Sequence, residues 1–67
     1  MNVKVFNGKL GHEKYMCSIL LENMNCCLPR KGEKACINGD VYIVIDVLQD
    51  YDLDEYNIFV ENFDWEN

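Results

Sequence analysis

From Asp40 to Asn67 the chain has no lysine or arginine, although nine aspartate and glutamate residues lie there. The thirty-nine residues before them hold six basic and three acidic side chains, so the two parts stand at +3 and −9 and give the net −6. A field this lopsided favours basic partners and disfavours direct contact with nucleic acid or an anionic membrane. Long apolar runs are missing too: none approaches the ~18 residues of a membrane span. The N-terminal stretch MNVKVFNGKLG lacks the apolar core of a signal peptide, so the expected compartment is the cytoplasm.

Chemistry-bearing motifs are equally scarce. Of the four cysteines, Cys26 and Cys27 are adjacent and no C-x-x-C pair occurs. In a reducing compartment Cys17, Cys26, Cys27 and Cys36 are expected as free thiols packed like small hydrophobes. A zinc site built from them and His12 is disfavoured, because structural zinc normally takes closely paired ligands. His12 sits in a polar, glycine-flanked turn with no third group spaced to orient a His–Cys pair. A glycine-rich phosphate cradle is also lacking. The expectation is a protein without enzymatic activity, metal or cofactor.

What is present is a sheet. The chain has 67 residues, 49% of them apolar, which suits one small domain over 1–67 with residues 64–67 as a tail. Asn38-Gly39 between two apolar runs is a strong hairpin signal, because a type I′ turn needs positive φ at both central residues. The alternation and turn residues predict strands at 2–7, 14–23, 33–37, 40–48 and 56–63. In the fourth, Val41, Ile43, Ile45 and Val47 share one face, with Tyr42, Val44, Asp46 and Leu48 on the other. In the second, Tyr15, Cys17, Ile19 and Leu21 share a face. A helix over 12–24, aligning Met16, Leu20 and Met24, is the alternative. Pro29 and Gly32 break the sheet between the second and third strands. Five short strands predict an all-β fold, either a small Src-homology-like barrel or a strongly curved antiparallel sheet.

Pro29, Arg30, Gly32, Glu33, Gly39, Tyr42, Val44, Val47, Asp50, Tyr51 and Asp52 follow one another in a pattern that resembles small phage and prophage proteins of Gram-positive and gut bacteria. The resemblance spans residues 28–60, about half the chain. It implies a Src-homology-type barrel and a phage accessory role. The cysteines and the acidic tail are not part of that pattern.

Two surfaces then stand out. Asp50, Tyr51, Asp52, Asp54 and Glu55 in one connection, with Asp64 and Trp65 in the tail, combine carboxylates with aromatics. That composition suits a basic protein surface, the aromatics serving as anchors and the acids steering association. Asp50-x-Asp-x-Asp with Glu61 echoes a calcium loop, but Glu55 stands where the glycine of the sharp turn belongs. The opposite pole, Arg30, Lys31 and Lys34, suits an anion. The leading expectation is an acidic interaction protein of phage or mobile-element origin. It would act in the host cytoplasm on a basic host protein, as an inhibitor of an antiviral defence system. A barrel that sequesters a nucleotide signal and a phage structural or assembly component are the alternatives. The charge split also makes a homodimer reasonable.

Overall fold

Asn38 and Gly39 take φ of 53° and 88°, the doubly positive pair that a type I′ turn requires. Around this hairpin the computed structural model describes residues 1–24 and 28–63. Five strands form: β1 (Asn2–Asn7), β2 (Lys14–Leu20), β3 (Lys34–Ile37), β4 (Asp40–Asp50) and β5 (Glu55–Asn62). They lie in the order β2-β1-β5-β4-β3 in one strongly curled sheet, a half-barrel. The all-β, five-stranded expectation holds. One detail differs: β1 and β5 run parallel, so the sheet is mixed, while the other pairs are antiparallel. The N–H of Gly8 donates to the Val60 carbonyl at 2.8 Å and carries the pairing one residue past β1. Gly8 has φ of 110°, and a Cβ there would sit 2.9 Å from the His12 carbonyl oxygen, so the position excludes side chains.

The helix alternative at 12–24 gives way to β2 followed by a 3-10 turn, Leu21–Met24. The strand stops short of residue 23 because its partner runs out: the Leu21 N–H donates to the Met1 carbonyl at 2.9 Å, one step beyond the Asn2–Leu20 pair, and the chain then bends. That bend folds Leu21 and Met24 against the core. The core itself is Val3, Val5, Tyr42, Val44, Ile58 and Val60 on the concave side. Each such side chain fully removed from water contributes about 1.5–3 kcal/mol before chain entropy is counted.

Two β-bulges correct the facing expected from simple alternation. The β4–β5 register shifts between Val44 and Asp46, so Ile45 is the extra residue. Beyond it Val47 joins Ile58 on the concave side, while Asp46 and Leu48 pair with Phe59 and Asn57 on the convex side. The β1–β2 register shifts between Val5 and Phe6, which places Tyr15 opposite Phe6 and away from Cys17 and Ile19. A slip of one residue exchanges the faces of everything beyond it.

The Pro-Arg-x-Gly-Glu segment is a turn pinned across the β4 bulge. Gly32 N–H donates to the Val44 carbonyl at 2.8 Å, and Val44 N–H returns a bond to the Glu33 carbonyl at 2.8 Å. The Glu33 carboxylate closes the turn by accepting the Arg30 N–H at 2.8 Å. This motif forms structure. Its two cations ride on it.

Candidate functional site

The acidic connection between β4 and β5 is an ordered turn. Asp50 Oδ1 accepts the N–H groups of Asp52 and Leu53 at 3.0 and 3.1 Å, an Asx-type closure. Asp54 adopts a left-handed φ of 55°, which brings the chain back into β5. Glu55 is held by Lys4 at 3.0 Å. Tyr51 is 85% exposed, yet its hydroxyl donates to Gln49 Oε1 at 3.0 Å. Gln49 in turn donates to the Tyr56 hydroxyl at 3.0 Å. Asp52, Leu53 and Asp54 point into solvent. Behind this turn lies a hollow of about 30 Å³, room for a single water and for no ligand. Asp50, Tyr51, Asp52, Asp54 and Glu55 are therefore brought together as a rigid surface. Asp64 and Trp65 lie outside the described residues.

Arg30 and Lys31 are exposed on their turn. Lys34 is separated from them: its Nζ lies over the Phe63 ring at 4.8 Å from the centroid, a cation–π contact. Of the cysteines described, Cys17 is half-buried against the core and Cys36 is exposed at the β3 edge, both as free thiols. Cys26 and Cys27 lie outside the described residues. Among the described residues no group of three or more His, Cys, Asp or Glu side chains is placed to hold a metal ion.

A further surface emerges from the bulges. On the convex face Phe59 stacks on Phe6 with centroids 5.4 Å apart, and Tyr15 meets Phe6 edge-on at 5.8 Å. Phe59 is 2% exposed while Tyr15 is 57% exposed, so the row runs from covered centre to open end. Asp46 stands directly across from Phe59, and Glu61 across from Ile43, both carboxylates exposed. Leu48 adds an exposed aliphatic on the same face. An apolar centre with a charged rim is the anatomy of a protein interface. Strand alternation alone groups Phe59 with Glu61. It did not show that Tyr15 and Asp46 join them, because both lie beyond bulges that no residue type announces. Comparison with known protein families, with curated proteins and with solved structures returned no match.

Proposed function

We propose that this chain is a non-catalytic, acidic interaction protein that docks on a basic surface of another protein. The carrying observation is the free charge on the β4–β5 hairpin. Of its seven carboxylates from Asp40 to Glu61, Glu55 alone is ion-paired among the described residues. Asp46, Asp50, Asp52, Asp54 and Glu61 lie around the β4–β5 turn and the aromatic row, where they steer a cationic partner, and Tyr15, Leu48, Tyr51 and Leu53 supply apolar contact. The resemblance of residues 28–60 supports a phage or mobile-element origin, with a host cytoplasmic protein of an antiviral system as the partner inhibited. No helix among the described residues is long and apolar enough to cross a membrane.

The nucleotide-sequestering alternative fares less well. The depression beside Arg30 and Lys31 is lined by Leu28, Pro29, Val47 and Gln49, none of which offers a ring for a base to stack on.

The test is association kinetics with a partner captured from host lysate. Asp46→Lys with Glu61→Lys, and separately Asp52→Lys with Asp54→Lys, should slow association by roughly 10- to 100-fold at low salt and flatten its salt dependence. Equal association rates for wild type and both variants at low salt would sink the proposal.

A further inference from the structure

The half-barrel is open along one side. Its edge strands β2 and β3 form no ladder with each other among the described residues. Between them lies a chamber of about 250 Å³. Its floor is Val5, Ile58 and Val60, and its walls are Ile19 from β2 with Ala35 and Ile37 from β3. Met24, Pro29 and Cys36 complete it, with Asn23 the one amide in the lining. An engineered apolar cavity of about 150 Å³ stays dry and holds benzene, whereas drug-sized ligands take about 300 Å³ or more. This chamber therefore suits one short apolar group.

The same four residues that bound the upper part of the chamber, Met24, Pro29, Ala35 and Cys36, also line the adjoining surface depression that carries Arg30, Glu33 and Lys34. Lys31, next in the turn, lines a separate depression with Val47 and Gln49. Arg30 thus stands at the mouth while Lys34 is held over the Phe63 ring, and the one carboxylate there, Glu33, is already engaged by the Arg30 N–H. Apolar interior and cationic mouth are continuous. Among the described residues the chamber lining contains no aromatic ring for a nucleobase to stack on.

We propose that this seam is a binding site for a small amphipathic anion: a short aliphatic chain in the chamber and a carboxylate at Arg30. The proposal is independent of the docking function, since the chamber lies on the concave side and the docking carboxylates lie on the β4–β5 turn and the convex face. Burying so few atoms gives affinity in the millimolar range. A carboxylate head is the natural complement to a guanidinium fork.

Octanoate titrated into the full chain, followed by amide chemical shifts, provides the test. Saturable shifts at Ile19, Ala35, Ile37 and Ile58 are expected. Acetate, with the head alone, should leave them unmoved. Octanol, with the tail alone, should bind about tenfold more weakly, the factor that one charge-assisted contact of about 1.4 kcal/mol supplies. Arg30→Glu should weaken octanoate about tenfold and leave octanol unchanged, which also shows that the chamber survives the substitution. Ala35→Phe, filling the chamber, should abolish both. Vesicles of anionic phospholipid should cause no shift, because the ligand is a free carboxylate and the chain is net negative. Absence of saturable shifts with octanoate, equal binding of octanol and octanoate, or shifts confined to the convex face would each overturn the proposal. So would binding to the vesicles.

Discussion

Ile58 and Phe59 are adjacent on β5 and both only 2% exposed, yet they are buried by different means. Ile58 is enclosed by the curl of the whole sheet, with Val5 and Val47 beside it in register. Phe59 is covered on the convex side by its own row, principally the stacked ring of Phe6. One face is covered by the curl of the sheet and the other by a local aromatic pairing. Burial that depends on five strands carries the fold; burial that depends on one ring leaves a surface that a partner can extend. The charges divide in the same way: among the described residues the concave core holds no buried polar or charged side chain, while the convex face carries Asp46, Glu61 and the Lys4–Glu55 pair.

The comparison breaks most visibly at Ile58. Ile58→Ala should cost about 2–5 kcal/mol, the range for an aliphatic side chain lost from a closed core. A domain of this length has roughly 3–10 kcal/mol in total, so a urea titration should show the variant largely or wholly unfolded. On the convex side Phe6→Leu keeps apolar area but removes the ring stack. Its cost should be about 0.5–1.5 kcal/mol, read as a small fall in the urea midpoint with the slope unchanged. If Phe6→Leu proves the more damaging of the two, the convex row is core and the distinction between the faces collapses.

The same division explains what the sequence disclosed. The Asn38-Gly39 turn, the five strands and the inward set Ile58 and Val60 follow from local rules, turn chemistry and period-two alternation, which read directly from residue type. The parallel pairing of β1 with β5 joins residues more than fifty positions apart, as Val3 opposite Tyr56 illustrates, and no local signal encodes it. The bulges at Met16 and Ile45 were also hidden, because either residue would serve equally well in an unbroken strand. The acidic turn was legible as composition. That its carboxylates extend onto a shared face with Phe6, Tyr15 and Phe59 required the register. Arg30 and Lys31 were legible as a cationic pole, whereas the apolar chamber behind them depends on how far the sheet closes.

The smallest expected effect concerns a charge that lies in neither face. Glu22, in the 3-10 turn, has its carboxyl held below the ordinary 4.5, first by a backbone hydrogen bond and then by the Met1 amine. The amine nitrogen lies 3.6 Å from Oε1. Because the folded value is the lower one, this carboxylate adds stability above the ordinary glutamate range. The contribution disappears as pH falls through the folded value. Glu22 is fully exposed, so water and salt screen most of it. Glu22→Gln should therefore lower the melting temperature slightly at about pH 7, and the difference should vanish as the pH falls through the folded value and the wild-type carboxyl becomes protonated as well. The gap at neutral pH should also close in added salt. A loss at neutral pH as large as that of Phe6→Leu would mean that the Met1–Glu22 contact fastens the open end of β2, and that the curl of the sheet depends on charge as well as on its aliphatic lining.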